Sequence, residues 1–276
     1  MPLACSLLTG CFQSSNNRQV SINTLFAISL DGTRIAYERT GTGPALVLLH
    51  GGGNNRHMWR EAGYIEHLQN NFTVIMPDLR GHGESDSPTE PSDYTTDKMI
   101  KDILAVVDAC GVERFMIWGF SFGGRVGRYV AVHSERVTKI VLLGTPLGSF
   151  ISNEFRQYMA DFCAHWTPIL QADRVPDTSS LSKDDREFME NNNVSAMMAW
   201  GQAMLNWTAV EPSNFHCPVL WLVGSEDQVA MTTVREFQQF LPDTEVKLHI
   251  IDGLDHRQVF NEIDKVFATM LAFSQP

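Results

Sequence analysis

The chain has little positive charge, no pattern of paired cysteines and no long apolar run. Its 276 residues carry 21 Lys and Arg against 32 Asp and Glu, a formal net charge of −11. No basic stripe offsets that charge, which argues against nucleic acid and anionic lipid surfaces as partners. The five cysteines, Cys5, Cys11, Cys110, Cys163 and Cys217, are odd in number and scattered. They supply no disulfide framework and predict free thiols in a reducing, cytoplasmic compartment. No run approaches membrane-spanning length, so no integral membrane segment is expected. Among nine histidines there is neither a His-Glu-x-x-His nor a Cys-x-x-Cys pattern, so no metal site and no cofactor is predicted.

What the chain does have is Gly119-Phe120-Ser121-Phe122-Gly123, placed between an apolar run, Phe115-Met116-Ile117-Trp118, and a stretch with Val126, Tyr129 and Val130 at helical spacing. A serine on such a strand-to-helix turn points out of the carboxyl edge of a sheet. The strained turn requires small residues two before and two after it, and Gly119 and Gly123 meet that requirement. A nucleophilic serine also needs a base, an acid to orient the base, and donors for the developing oxyanion.

Each of these can be placed at the end of a strand. Ala45-Leu46-Val47-Leu48-Leu49 runs into His50-Gly51-Gly52-Gly53, a loop whose backbone can approach a substrate closely. The expected donors are the N–H groups of Gly52 and Phe122, with Gly53 the alternative to Gly52, and His50 is read as bracing the turn. Pro218 to Val223 leads into Gly224-Ser225-Glu226-Asp227. Asp227 is the preferred acid and Glu226 the alternative, since one of two adjacent carboxylates must face away. No acid follows Ile140 to Leu143, where Gly144-Thr145-Pro146 stands. Val246 to Ile251 leads into a loop ending at His256, which lies just before a helical pattern and is the expected base. His249, within that strand, is read as a partly buried structural histidine. Asp255 is too close in sequence to orient His256.

The order Ser121, Asp227, His256, with His50-Gly51 and the segment Asp78-Leu79-Arg80-Gly81-His82-Gly83-Glu84-Ser85, resembles the α/β-hydrolase superfamily over nearly everything from about residue 20 onward. Within it the chain is similar to small, lidded bacterial esterases, enol-lactonases and carbon–carbon bond hydrolases. The resemblance implies a mostly parallel central sheet with helices on both faces and a helical lid inserted after the sixth strand. It makes the Asp78 to Ser85 segment mainly structural and leaves His82 without a catalytic role. Ser121 stands where epoxide hydrolases and haloalkane dehalogenases need an aspartate nucleophile. Phe120-Ser121-Phe122 argues against the hormone-sensitive-lipase branch, which usually carries Asp-Ser-Ala there.

The alternation of strands and helices itself predicts an α/β fold with a mostly parallel sheet. Thr95-Thr96-Asp97 and Gly111 bracket a helix with Met99, Ile103, Val106 and Cys110 on one face. Residues 20–30 and 33–40, joined around Asp31-Gly32, predict an antiparallel hairpin at one edge. Residues 20–147 and 213–276 form the expected core, and 148–212 the expected lid. Apolar stripes run along the lid through Phe155, Met159, Phe162 and Trp166 and through Met197, Trp200, Met204 and Trp207. Phe120, Trp166, Met197 and Trp200 are the candidate pocket residues. Residues 1–19 are an N-terminal extension in which Leu8-Thr9-Gly10-Cys11 resembles a lipoprotein cleavage box, so export anchored through Cys11 is the alternative location.

The expectation is a serine hydrolase acting on small-molecule esters or lactones with uncharged acyl groups of small to medium size. A carbon–carbon bond hydrolase, a thioester hydrolase or a perhydrolase is reachable from the same three residues. A non-catalytic ligand receptor on the same fold is the reading from another class.

Overall fold

The computed structural model describes residues 24–148, 151, 153–170 and 181–275. The possible signal remnant at 1–19, and Val20 to Asn23 of the expected hairpin, lie outside the described residues.

Eight strands form one sheet: β1 (Leu25–Ile28), β2 (Arg34–Thr40), β3 (Ala45–Leu49), β4 (Thr73–Pro77), β5 (Phe115–Phe120), β6 (Val137–Leu143), β7 (Val219–Gly224) and β8 (Val246–Ile251), in the spatial order β1-β2-β4-β3-β5-β6-β7-β8. β1 and β2 pair antiparallel, as does β2 with β4, and every later pair is parallel. The hairpin register places Leu25 opposite Tyr37.

The central strands read as continuous apolar runs because both of their faces are covered. In β3, Val47 and Leu49 enter one core cluster with Ile117, Ile140 and Trp221, while Leu46 and Leu48 enter the other with Trp118, Val141 and Leu222. Helices α1 (Met58–Glu61), α2 (Tyr64–Leu68), α3 (Thr96–Ala109) and α4 (Phe122–His133) follow the early strands. α3 starts where its cap signals indicate, with the Thr95 hydroxyl accepting from Lys98 N–H at 3.3 Å. It stops at Gly111, which adopts φ 67°.

Between β6 and β7 lie α5 (Asn153–Leu170), α6 (Lys183–Asn191) and α7 (Val194–Met204). The two ends of this insert meet at a neck, where Gly148 N–H donates to the Val210 carbonyl at 2.9 Å. Within the insert α5 and α7 come so close that a Cβ on Gly201 would sit 2.2 Å from Met159 Cε. Helices α8 (Gln228–Phe237), α9 (Gln258–Asn261) and α10 (Ile263–Ser274) complete the chain, the last two dividing the expected C-terminal helix at Glu262. One sequence expectation is corrected here: His249 is exposed, because β8 is an edge strand with an open face. Among the described residues no helix is long and apolar enough to cross a membrane, and no group of His, Cys, Asp and Glu could hold a metal ion.

Candidate active site

β5 ends at Phe120 and α4 begins at Phe122, so Ser121 alone makes the turn. It holds φ 51° and ψ −113°, and it is the only non-glycine residue with positive φ among the described residues. Such a conformation costs on the order of 1–3 kcal/mol and persists only where its surroundings enforce it. The glycines around it are steric requirements. A Cβ on Gly119 would lie 2.6 Å from Gly124 Cα, and one on Gly123 would lie 2.2 Å from the Leu49 carbonyl oxygen. Gly124 is equally constrained, because a Cβ there would lie 1.9 Å from Thr145 Oγ1. The elbow pattern ends at Gly123 and says nothing of Gly124, whose obstacle comes from the loop after β6.

The structure brings Ser121, Asp227 and His256 together from the ends of β5, β7 and β8. Ser121 Oγ lies 3.0 Å from His256 Nε2, and His256 Nδ1 lies 2.7 Å from Asp227 Oδ2. A carboxylate only accepts, so Nδ1 carries the proton and donates it, leaving Nε2 as the acceptor for the serine hydroxyl. Asp227 is 2% exposed, and its other oxygen accepts Ala230 N–H at 3.1 Å as the cap of α8, so both oxygens are engaged. Glu226 faces solvent. Asp255 is also exposed and bonds the turn leading into α9, accepting the N–H groups of Arg257 and Gln258 at 2.9 and 2.8 Å.

His50 has a bracing position. Leu79 N–H donates to its Nε2 at 2.9 Å, so the ring proton is on Nδ1, which donates to the Gly51 carbonyl at 2.8 Å. Burial lowers its pKa to about 4, which keeps the ring neutral in this role. The imidazole thereby ties the glycine loop to the strand end at Leu79. Gly51 N–H is turned toward Met58 Sδ at 3.4 Å, and the Gly52 carbonyl accepts from Asn54 Nδ2 at 3.4 Å, while Gly52 N–H takes part in neither bond. Phe122 is the first residue of α4, where helix geometry leaves the N–H without an intrahelical acceptor. A Cβ on Gly52 would meet Phe122 Cβ at 3.4 Å, so the two residues expected to supply donors are neighbours.

The segment from Asp78 to Ser85 is occupied with structural bonds. Asp78 accepts Arg56 N–H at 2.7 Å and Glu84 N–H at 2.8 Å and is ion-paired to the Arg56 guanidinium. Arg80 is fully buried and bonds both oxygens of Asp102 at 2.8 and 2.7 Å. His82 is buried with Nδ1 3.1 Å from the Arg80 carbonyl, and burial pushes its pKa down to about 3.

The four candidate pocket residues have separate surroundings. Phe120 is 3% exposed and packs on the His256 ring at 5.2 Å and on Phe260 at 4.8 Å. Trp200 packs on Phe122 at 5.1 Å, and Met197 is buried in the same cluster. The rings that Trp166 meets, Phe162, His165 and Phe188, all belong to the insert. Phe120 and Trp200 thus lie against elements of the site, Phe120 on His256 and Trp200 on Phe122, while Met197 is buried in the shared core and the ring contacts of Trp166 among the described residues stay within the insert.

Comparison with known proteins agrees with this architecture. A family model described as the alpha/beta hydrolase fold matches residues 44–184, just over half of the chain. Over 165 residues the chain is 32% identical to a fluoroacetate dehalogenase of Burkholderia sp, an alignment covering 58% of this chain and 52% of that protein. The chain therefore spans about half the length of that curated relative. Among solved structures, it superposes with a TM-score of 0.73 on an epoxide hydrolase from metagenomes of hot environments, at 20% identity, covering 93% of this chain and 99% of the other. A carboxylesterase of the thaumarchaeon Nitrososphaera gargenis superposes with a TM-score of 0.72 at 22% identity, covering 90% and 97%. With strand order, serine elbow and family match in agreement, the chain belongs to the α/β-hydrolase fold family.

Proposed function

We propose that this protein is a serine hydrolase that cleaves carboxylic esters or lactones with small to medium, uncharged acyl groups through an acyl-enzyme intermediate. The observation that carries the proposal is the continuous chain of contacts from Ser121 Oγ through both nitrogens of His256 to Asp227, at 3.0 and 2.7 Å. His256 Nε2 accepts the serine proton as Oγ attacks the carbonyl carbon, and Asp227 holds the imidazole in the tautomer that can accept it. The N–H groups of Gly52 and Phe122 then stabilise the oxyanion, each worth about 3 kcal/mol by comparison with other acyl-transfer enzymes. His256 returns its proton to the leaving alkoxide, and water attacks the acyl-enzyme by the same route.

A serine at this position supports acyl transfer over the epoxide opening and dehalogenation named for some relatives. Among the similar solved structures are carboxylesterases and an enzyme described as degrading N-acyl homoserine lactones, which supports including lactones in the substrate class. In this reading residues 148–212 act as a lid, and the apolar side chains of α5 and α7 set the preference for uncharged acyl groups. The test is hydrolysis of a p-nitrophenyl ester series and a lactone panel by the wild type and by Ser121→Ala. Turnover that disappears in the folded alanine variant is the expected result. Equal turnover in both proteins would refute the proposal, as would a wild type inactive on every ester and lactone.

A further inference from the structure

The expected donor loop is tied at both peptide groups of Gly51 and at the Gly52 carbonyl, by His50, Met58 and Asn54, and none of these bonds engages the Gly52 N–H. Gly51, Gly52 and Gly53 carry no side chains, and Gly53 takes φ 72°, so the placing of that N–H also depends on what packs against the loop. His50 fixes the Gly51 carbonyl, one residue short of the donor itself. The surface over Gly52 is supplied from the insert: a Cβ built on Gly52 would meet Trp200 Cη2 at 3.5 Å, so the end of the indole lies against that residue. The same indole packs on the Phe122 ring at 5.1 Å with an interplanar angle of 38°. Trp207, just beyond α7, stacks on Phe122 at 5.8 Å, and its Nε1 is anchored to the Tyr94 carbonyl at 2.9 Å. Trp200 therefore touches both residues expected to donate to the oxyanion, and it does so while only 2% exposed. Its Nε1 is buried without a hydrogen-bond partner among the described residues, so what the indole contributes here is its ring.

We propose that Trp200 is a positioning residue for the oxyanion hole, an inference that rests on the serine-hydrolase reading. Through Trp200, α7 holds the Gly52 loop and the first residue of α4 at the separation that aims both N–H groups at one oxygen. Stabilisation by such donors depends on their being fixed before the charge develops, and displacement by about 1 Å can cost about 100-fold in rate. The insert thus contributes to the chemical step as well as to covering the site. A residue that only walls the pocket changes substrate binding and chain-length preference, whereas one that positions donors changes the transition state and leaves ground-state binding in place.

The experiment compares the wild type, Trp200→Ala and Trp200→Phe on p-nitrophenyl esters of increasing acyl length. It also measures inhibition by an alkyl trifluoromethyl ketone, whose serine adduct places an oxyanion in the hole. Trp200→Ala should lower kcat and trifluoromethyl ketone affinity together, by about 10- to 100-fold. KM for p-nitrophenyl acetate should stay within about twofold and the preferred acyl length should not move. Trp200→Phe keeps a ring on Phe122 but is too short to reach Gly52, so it should show a smaller loss of the same kind. It decides the question alone if the alanine variant does not fold. Retained kcat and ketone affinity, with or without a shifted chain-length preference, would overturn the proposal, as would a loss of kcat with unchanged ketone affinity. A wild type that neither turns over esters nor binds the ketone would instead remove the reading on which the proposal rests.

Discussion

At the scale of single residues, the site depends on close approaches that leave no room for a methyl group. Gly124 is the sharpest case, since a Cβ would overlap Thr145 Oγ1 at 1.9 Å. That hydroxyl lies 3.2 Å from both the Ser121 and Leu143 carbonyls, where it donates to the turn. Gly124→Ala should therefore cost about 1–3 kcal/mol, the usual range for overpacking a tight core, and should reduce turnover by disturbing the elbow. Adding Thr145→Ala removes the obstructing oxygen and should restore part of the lost stability, so the two substitutions should be non-additive in urea denaturation. A neutral Gly124→Ala, or a double variant no better than the single, would contradict this account. Outside the site, the Tyr129 hydroxyl donates to the Thr208 carbonyl. Tyr129→Phe should lower stability by about 1 kcal/mol, read as a shift of the urea midpoint without a change in slope.

At the scale of elements, that Tyr129 bond is one of several by which α4 secures the neck of the insert. Arg128 Nη1 donates to the Pro146 and Gly148 carbonyls at 2.9 and 3.0 Å, so one turn of α4 holds both chain segments entering and leaving α5 to α7. None of this was legible in the sequence, because Arg128 and Tyr129 are side chains within a helix whose partners are backbone carbonyls far along the chain. The strands were legible. Ala45 to Leu49 and Val219 to Val223 are buried on both faces, and each run is closed by glycine-containing loops. The positions of Ser121, Asp227 and His256 were legible for a related reason, since each follows such a run and a parallel sheet brings those ends to one edge. His249 was misread although the signal was there, since Val246, Lys247, Leu248 and His249 alternate apolar and polar as a strand with one open face does, and Lys247 and His249 are both exposed. The support that Trp200 gives to Gly52 was invisible for another reason: a helical stripe shows that a residue is packed but not what it packs against.

At the scale of the whole molecule, two buried imidazoles couple stability to pH. Burial lowers His50 to about 4 and His82 to about 3, and in the unfolded chain both return to about 6.5. Between those values the unfolded state binds protons that the folded state does not, so stability rises with pH across the window. Stability is therefore greatest above about pH 6.5 and is lost as pH falls toward 4, each imidazole contributing at most about 1.4 kcal/mol per pH unit. Urea midpoints should fall from pH 7 to pH 5, and replacing His82 with Gln should flatten that slope. A midpoint independent of pH across this range would contradict the neutral, buried state of both rings. Ser121 carries the proposed chemistry, and peptide mass mapping after reaction with a fluorophosphonate reads it without intermediaries. One stoichiometric adduct on Ser121 is expected, slowed severely in His256→Ala and absent in Ser121→Ala. An adduct on another residue, or none at Ser121 while ester turnover continues, would contradict that chemistry.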